Sequence, residues 1–200
     1  MSINKRKDWK KGYNCGKICK ILKKEKEMKR IEDLLADKIY EATNIILQKF
    51  IKPDFSYESV TELSMKQIED IKFAFGIEGV IIDVDDTLRK DMQMIPECNK
   101  KWLEDVRKHL KVIVVSNGVD GKVEEYLKSK GIDYIGFAMK PLRRGFKKAC
   151  DRMGLEPEKV LVIGDQLIDD IYGGRRCGMM TIKVSGSESK KKKEKPDEGR

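Results

Sequence analysis

Histidine is almost absent from this chain, whose only one is His109. The cysteines are also few, odd in number and scattered: Cys15, Cys19, Cys98, Cys150 and Cys177. Because no second Cys/His pair follows Cys15 and Cys19, the ligand set of a structural zinc site is missing. Scattered cysteines without a secretory signal predict free thiols in a reducing compartment. His109 is expected to have a surface role near the end of a predicted helix.

Long apolar runs are lacking too. No stretch approaches the roughly 20 apolar residues that cross a bilayer, which excludes an integral membrane protein. The 200 residues, 40% hydrophobic, suffice for one medium domain with extensions. We expect a cytoplasmic location. Organellar import is an alternative, because Asp8 is the only acid in residues 1–24.

The net charge of +9 belongs to the two ends of the chain. Residues 1–30 carry 12 Lys/Arg against 3 Asp/Glu, residues 190–200 carry 6 against 3, and residues 31–189 carry 25 against 28. A mildly acidic domain without a basic, aromatic-rich surface argues against specific nucleic-acid binding. The basic, amphipathic start is expected to contact anionic membrane peripherally, the alternative being a solvated end. The tail from Ser189 is expected to be disordered.

The spacing of apolar residues predicts a helix over residues 28–50, ended by Pro53, and then a change of pattern from Ser64 onward. Short apolar runs alternate with helices, which predicts an α/β, Rossmann-like fold with a parallel sheet covered on both faces. The predicted strands are 79–83, 111–118, 134–141, 159–165 and 180–184, and the helices between them are 97–110, 120–130, 142–153 and 166–177. The predicted organisation is a basic helical extension (1–63), a catalytic domain (64–187) and a basic tail (188–200).

Reactive side chains follow four successive predicted strands. In strand order, they are Asp83, Asp85 and Asp86, then Ser116 and Asn117, then Lys140, and finally Asp165, Asp169 and Asp170. Ligands of open parallel sheets bind beyond the carboxyl ends of the strands. The sequence therefore predicts that acidic, hydroxyl, amide and ammonium groups converge on one edge of the sheet.

This combination of groups suits phosphoryl transfer. Asp83 and Asp85 project to the same side of an extended segment, and further carboxylates would repel them unless a cation lay between. Oxygen ligands select a hard ion, most simply Mg²⁺. Lys140 adds a positive charge, and Ser116 and Asn117 add hydrogen-bond donors for a phosphoryl group. One carboxylate could attack phosphorus and form an aspartyl-phosphate, while another serves as general acid and base.

In order along the chain, these motifs resemble the four motifs of the haloacid dehalogenase-like (HAD) phosphatases. They are Asp83-x-Asp85-x-Thr87-Leu88, Ser116, Lys140, and Gly164-Asp165 with Asp169/Asp170. The resemblance covers about residues 79–184. It implies that Asp83 is the nucleophile and a metal ligand, and that Asp85 is the general acid and base with its backbone carbonyl on Mg²⁺. It also implies that Ser116 and Lys140 bind the phosphoryl group, and that Asp165 holds Mg²⁺ with the support of Asp170 or Asp169.

The stretches "SVTEL", "SNG", "MKP" and "GDQLIDDIYGGRRCGMMTIKV" further resemble the YqeG-type, class IIIA branch, which is similar to the mitochondrial phosphatidylglycerophosphate phosphatases. Asp86 stands where that branch usually has Asn, and Asp169 where it usually has Thr. Which of Asp169 and Asp170 supports the metal is therefore left open. Asp86 is expected to be a solvent-facing turn residue.

Residues 89–110 and 118–139 leave no room for the cap domains that give this superfamily its specificity. An open edge predicts a bulky phosphorylated substrate. By the resemblance, this is phosphatidylglycerophosphate, a substrate of phospholipid metabolism, with a nucleic-acid end or a phosphoprotein as alternatives.

Two other classes of protein share parts of the pattern. A phospho-receiver domain also uses an acidic pair, a hydroxyl and a Lys-Pro, but needs an acceptor aspartate at the end of a middle strand, and "VVSNG" and "FAMKP" offer none. An inactive scaffold would not need the complete set of acids. Individually, several of these residues could be caps or turn residues, such as Asp165 before a helix.

Overall fold

The computed structural model describes Lys38, Ile46 and residues 49–185. The basic N-terminal segment, almost all of the predicted helix over residues 28–50, and the C-terminal tail lie outside the described residues. Their predicted structure and membrane contact stay predictions. Among the described residues, no helix is both long enough and apolar enough to cross a membrane.

Six strands form one sheet in which every neighbouring pair is parallel. Along the chain they are β1 (Phe55–Tyr57), β2 (Gly79–Ile82), β3 (Lys111–Val115), β4 (Asp133–Ile135), β5 (Val160–Gly164) and β6 (Met180–Val184). Their order across the sheet is β1-β6-β5-β2-β3-β4. The predicted parallel α/β architecture is confirmed, and β2 and β5, which precede the two acidic motifs, are central neighbours.

Helices connect the strands. They are α1 (Met65–Phe75), α2 (Glu97–Val106), α3 (Gly121–Ser129), α4 (Arg143–Met153), a π-helical turn (Leu167–Tyr172) and α5 (Gly173–Arg176). Ser64 begins α1 with a reciprocal capping box to Gln67, and the Asp120 carboxylate accepts the first free amides of α3. Gly154 ends α4 in a left-handed conformation, as is common at helix ends.

The core has two halves because successive strand residues face opposite sides of the sheet. On β2, Val80 and Ile82 pack in one half and Ile81 in the other. The first half also holds the apolar sides of α1, α2 and α3, and the second holds that of α4. Both faces of the sheet are thus buried, which is why its strands are almost wholly apolar.

The sheet begins at Phe55, ahead of the predicted domain start at residue 64. β1 pairs with β6, and Asp54 reinforces this edge by accepting bonds from the Thr181 amide (2.8 Å) and hydroxyl (3.0 Å). The indole of Trp102 donates to the Leu63 carbonyl at 2.8 Å, which fixes the turn between β1 and α1 to the core. Residues 55–57 therefore belong to the sheet, and Val60 and Leu63 of the following turn pack in its core.

The segments in which a cap domain would be inserted contain only secondary structure of the core fold. Residues 89–110 form a loop, α2 and the turn into β3, and residues 118–139 form α3, β4 and short connections. Within residues 49–185, neither position therefore holds an inserted cap domain.

Candidate active site

The centre of the carboxyl edge is a buried ion-pair cluster. Asp83 follows β2, and its Oδ1 accepts a hydrogen bond from Lys140 Nζ at 2.6 Å. The same ammonium donates to Asp170 Oδ1 at 2.6 Å. All three side chains are nearly inaccessible to water. Chain segments that are distant in sequence therefore bring together the predicted nucleophile, the predicted phosphate-binding lysine and one of the two candidate acids of the last motif.

Asp165, which follows β5, completes an acidic cluster. A carboxylate oxygen from each of Asp83, Asp165 and Asp170 lies within 4.8 Å of the others. Lys140 is the only cation that forms an ion pair with this cluster among residues 49–185. When all are ionised, three carboxylates and one ammonium leave two uncompensated negative charges in a buried place.

Burial and this uncompensated charge shift the pKa values of the acidic cluster and of Lys140. Burial and the charge of Asp170 raise the pKa of Asp83 to about 8, which Lys140 offsets only in part. Burial, with the charges of Asp170 and Asp86, raises the pKa of Asp165 to about 7. Burial alone would lower the pKa of Lys140, but the charges of Asp170 and Asp83 outweigh it and leave that pKa raised. Lys140 is therefore a permanent cation, and the carboxylates need a second one.

Asp170 reaches the cluster because β5 ends in glycine and the next turn is π-helical. A Cβ on Gly164 would lie 2.2 Å from Asp170 Cγ, so no larger residue fits while Asp170 stays in place. The amide of Ile171 donates to the carbonyl of Gln166, five residues back, and Asp170 Oδ2 accepts from the Gln166 amide at 3.1 Å. Such turns are frequent at functional sites.

Asp169 points to a different partner. Its Oδ2 accepts a bond from Asn117 Nδ2 at 2.9 Å, and it is not a member of the three-carboxylate cluster. Asn117 also holds both sides of the Lys140 backbone: its Oδ1 accepts from the Lys140 amide (2.6 Å) and its Nδ2 donates to the Lys140 carbonyl (3.0 Å). The Asn117 amide therefore fixes the position of Lys140, and the structure separates the surroundings of the two neighbouring aspartates.

Ser116 lies at the end of β3 with its side chain buried. Its hydroxyl accepts a hydrogen bond from the Gly118 amide at 3.0 Å, and its carbonyl accepts from the Ala138 amide. The loop after β3 is thereby joined to the loop after β4, which carries Lys140. Ser116 and Lys140 are thus on adjacent segments of the same edge.

Asp85 is anchored by an arginine that the sequence analysis did not single out. Arg89 is buried, and its Nε donates to Asp85 Oδ1 at 2.9 Å while its Nη1 donates to Asp120 Oδ2 at 2.5 Å. The Asp85 side chain keeps 40% of its surface exposed. Arg89 therefore fixes one oxygen of Asp85 and connects it to the start of α3, while the carboxylate remains open to a ligand.

Asp86 and Thr87 complete the loop after β2. The backbone of Asp86 is left-handed (φ 56°), a conformation in which Asp and Asn are enriched, so the predicted turn role is confirmed. Its side chain is half-buried, and its charge helps to raise the pKa of Asp165. The Thr87 hydroxyl donates to Asp165 Oδ1 at 3.4 Å. Asp86 thus contributes to the field of the acidic cluster, which the expected solvent-facing position did not include.

Known proteins are similar to this chain in sequence. A family model described as HAD-hydrolase-like matches residues 137–199. The probable phosphatase YqeG of Bacillus subtilis is 33% identical over 141 residues, which cover 70% of this chain and 80% of YqeG. The chain belongs to the HAD-like hydrolase superfamily.

Two further relatives extend the comparison. A glyceraldehyde 3-phosphate phosphatase of Methanothermobacter thermautotrophicus is 31% identical over 104 residues, 47% of this chain and 46% of that relative. The crystal structure of a HAD family enzyme from Bacteroides thetaiotaomicron, an aspartate-to-alanine mutant in complex with magnesium and inorganic phosphate, aligns with a TM-score of 0.47 at 13% identity. It covers 56% of this chain and 96% of that one. By its relatives, this chain is a YqeG-like HAD phosphatase whose substrate is phosphorylated.

Two features of this HAD phosphatase were missed from the sequence; the first had a weak signal and the second had none. Arg89 follows a strand-end motif among charged residues, so its local sequence resembles an ordinary surface loop. Its spacing of four from Asp85 was the available signal, because an opposite charge at that spacing often forms a pair. The contacts of Asn117 with the Lys140 backbone join residues 23 positions apart and had no local signal.

Proposed function

We propose that this chain is a Mg²⁺-dependent phosphomonoester phosphatase that acts through an aspartyl-phosphate on Asp83. The observation that carries the proposal is the cluster of buried Asp83 and Asp170, both paired with Lys140, and half-buried Asp165. Withdrawing three carboxylates from water with one ammonium is costly unless a further cation binds there. A structural salt bridge would need only one of these acids.

In the first step, an Asp83 carboxylate oxygen attacks phosphorus as the bond to the leaving oxygen breaks. Asp85, in its protonated form, gives its proton to that leaving oxygen. In the second step, Asp85 takes a proton from water, whose oxygen attacks the aspartyl-phosphate. Inorganic phosphate leaves, and the Asp83 carboxylate and the protonated Asp85 are regenerated. The partial exposure of Asp85 suits a group that meets both the leaving group and water.

Lys140 and Ser116 are proposed to bind the oxygens of the transferring phosphoryl group. Lys140 already lies 2.6 Å from the proposed nucleophile, so it orients Asp83 as well as balancing charge. The Asn117 side chain is engaged by the Lys140 backbone and by Asp169. We therefore assign Asn117 to the phosphate-binding group through its positioning of Lys140.

Residues Asp83, Asp165 and Asp170, together with the backbone carbonyl of Asp85, would hold the Mg²⁺ ion. All are oxygen donors, which a hard divalent cation prefers. Burial first, and then the negative charge of neighbouring carboxylates, raise the pKa values of Asp83 and Asp165, and such an ion would balance that charge. When bound, the ion would neutralise charge on the phosphoryl oxygens and the nucleophile. Asp170 is preferred over Asp169 as the supporting ligand, because its carboxylate belongs to the three-carboxylate cluster and that of Asp169 does not.

The substrate is proposed to be bulky, and phosphatidylglycerophosphate is favoured. Support comes from the absence of an inserted cap domain within residues 49–185 and from the branch that the motifs resemble. A substrate panel tests this choice: phosphatidylglycerophosphate in mixed micelles, an oligonucleotide with a 3′- or 5′-phosphate, and a phosphopeptide. The lipid is expected to have the highest kcat/KM. Preference for either of the others would overturn the substrate assignment and leave the mechanism standing.

The mechanism itself is tested by Asp83→Asn with p-nitrophenyl phosphate. We expect Mg²⁺-dependent hydrolysis to fall at least about 1,000-fold, because the nucleophile is lost while its shape is kept. Asp169→Asn is the matched control: it lies outside the three-carboxylate cluster and should keep most of the activity. Full activity of Asp83→Asn, or activity of the wild type in excess chelator, would contradict the mechanism.

A further inference from the structure

An apolar and basic surface lies beside Lys140 at the open edge. Phe137, Met139 and Leu142 expose 77%, 44% and 52% of their surface. Arg144 and Lys148, one turn apart on α4, line a cleft of about 330 Å³ together with Phe137 and Met139. We call these five residues the rim patch. Large exposed apolar side chains grouped with cations, next to a site, indicate an interaction surface.

The backbone holds the apolar members outward in an unfavourable conformation. Phe137 and Met139 have φ values of 50° and 54°, the left-handed region that bulky residues rarely occupy. The carbonyl of Gly118 accepts a hydrogen bond from the Phe137 amide and so holds this loop. A bulky apolar residue that is both exposed and in a left-handed conformation contributes little to folding. Two of them in three positions are more readily explained by binding.

The start of α4 shows the same conflict with folding preferences. Its N-cap is Leu142, which offers no side-chain acceptor to the free amides, and its first turn has no acid. Arg144 instead places a cation where the helix dipole disfavours one. No acidic side chain lies within 4.0 Å of the Arg144 or Lys148 charge among residues 49–185. These cations are therefore available to an external anion.

The chemistry of the patch selects an anionic bilayer as its partner. Cations beside exposed apolar side chains match the charged surface and apolar interior of such a membrane. The basic stretch of residues 1–30 is a poor occupant, because it carries 12 Lys/Arg against 3 Asp/Glu and would repel the patch. A nucleic acid would call for aromatic stacking residues, and Phe137 is the only aromatic residue of the patch.

We propose that the rim patch docks on anionic membrane, with Phe137, Met139 and Leu142 entering the interface and Arg144 and Lys148 contacting lipid headgroups. Lys140 lies between two of the apolar residues in sequence, so docking would bring the proposed phosphate-binding group to a lipid headgroup. The benefit of this orientation for catalysis rests on the proposed function. The rim patch is a different part of the chain from the basic N-terminus.

Site-directed fluorescence tests the location of the contact. In full-length protein, Phe137→Trp is compared with Phe73→Trp, since Phe73 is 94% exposed on α1, which packs against the other face of the sheet. The vesicles contain phosphatidylcholine and phosphatidylglycerol in a 70:30 ratio, with and without brominated acyl chains. On binding, the emission of Phe137→Trp should shift to the blue. Brominated acyl chains should quench at least about half of the fluorescence of the introduced tryptophan, and Phe73→Trp should show neither effect.

Loss of binding is tested with a rim variant: Phe137→Asn, Met139→Asn, Leu142→Ser, Arg144→Glu and Lys148→Glu. Asn tolerates the left-handed backbone at positions 137 and 139, Ser suits the N-cap at position 142, and Glu suits the helix start at position 144. The melting temperature of the variant should therefore stay equal or rise by a few degrees. Affinity for the vesicles should fall at least about 20-fold, since each basic residue near an anionic surface contributes roughly fivefold. Lys66→Glu/Lys101→Glu, a charge-matched change on α1 and α2, should weaken it less than about fivefold.

Several results would overturn the docking. They are equal quenching of the two tryptophan variants, no quenching of Phe137→Trp while the protein is bound, no binding of the full chain at low salt, and equal losses in the rim and control variants. A rim variant that instead loses affinity for an oligonucleotide or phosphopeptide would also overturn it. Hydrolysis of p-nitrophenyl phosphate by the rim variant should stay within about threefold of the wild type. If the wild type did not hydrolyse p-nitrophenyl phosphate, the phosphatase mechanism would be refuted, and the docking could still be correct.

Discussion

Replacing Arg89 with methionine separates proton donation from the rest of the proposed reaction. Methionine retains much of the aliphatic volume of the arginine but removes the donors to Asp85 and Asp120. Asp85 would lose the contact that fixes its Oδ1. We expect a specific loss of the proton transfer that Asp85 is proposed to make, with the nucleophile Asp83 left intact.

The size of the effect follows from the exposure of the partners. A hydrogen bond to a charged group contributes about 1.5–3 kcal/mol. Asp85 and Asp120 keep 40% and 24% of their side-chain surface exposed, so water replaces part of what is lost. About 1–2 kcal/mol for the Asp85 contact is therefore reasonable, equivalent to roughly 5–30-fold in rate. This is a fraction of the 100–10,000-fold that general acid catalysis supplies.

The assay compares kcat/KM for two aryl phosphates that differ in their leaving group. Phenyl phosphate has a poor leaving group that needs the proton, and 2,4-dinitrophenyl phosphate has a good one that does not. Because kcat/KM covers steps up to formation of the aspartyl-phosphate, the shared hydrolysis step does not contribute. Arg89→Met should lose roughly 5–30-fold on phenyl phosphate and less than about threefold on the dinitrophenyl ester.

Three control variants separate the effect on Asp85 from a general loss of structure. Asp85→Asn should show the same selectivity with a larger loss, and Arg89→Lys should recover part of the phenyl phosphate rate. Arg152→Met removes an arginine that donates to the backbone carbonyl of Tyr134, outside the acidic cluster. This variant should change kcat/KM for neither substrate. Equal losses of Arg89→Met on both substrates would show that Arg89 only supports the fold. No loss on either would show that Asp85 needs no such anchor.

Two further outcomes follow from the acidic cluster. Gly164→Ala should reduce kcat at least about 100-fold with a near-normal circular dichroism spectrum, because the new Cβ would displace Asp170; full activity would contradict the assigned position of Asp170. Mg²⁺ affinity, measured by calorimetry, should rise between pH 6 and 8 by about tenfold per pH unit for each carboxylate that must lose its proton. The sign is set by Asp83 and Asp165, whose pKa values lie raised at about 8 and about 7, so protons compete with the ion at low pH and cease to do so as pH rises. Asp83→Asn should flatten this dependence, and an unchanged slope would exclude Asp83 as the competing group.

Most of the sheet could be predicted because four of its six strands are short, largely apolar runs between amphipathic helices. The strand predicted over residues 134–141 is the shorter β4, Asp133–Ile135, and the rest of that range is the loop that carries Lys140. β1 could not, because Phe55–Tyr57 contains three residues and an exposed serine at its centre. Its place in the sheet depends on pairing with β6 and on the bonds of Asp54 to Thr181, 127 positions away. Contacts of such sequence separation leave no periodic pattern in the short strand itself.

The predicted helix over residues 166–177 shows a second limit. The structure divides it into a π-helical turn and a short α-helix, α5. Apolar spacing cannot distinguish these over so few residues. What favours the wider turn is the Asp170 carboxylate, which accepts the Gln166 amide while its other oxygen accepts Lys140. The π-helical turn thus occurs together with the ion pair between Lys140 and Asp170, and no local pattern of residues indicates that pair.

The segment between β4 and α4 joins the two proposals in a physical way. Asn117 binds both the amide and the carbonyl of Lys140, which fixes the backbone on either side of that residue. With the backbone held there, the Lys140 side chain lies in the buried cluster, while Met139 and Leu142 lie at the surface. The inward lysine and its outward apolar neighbours thus depend on the same two hydrogen bonds. A loop that served catalysis alone would need only the lysine, and its neighbours could then be polar.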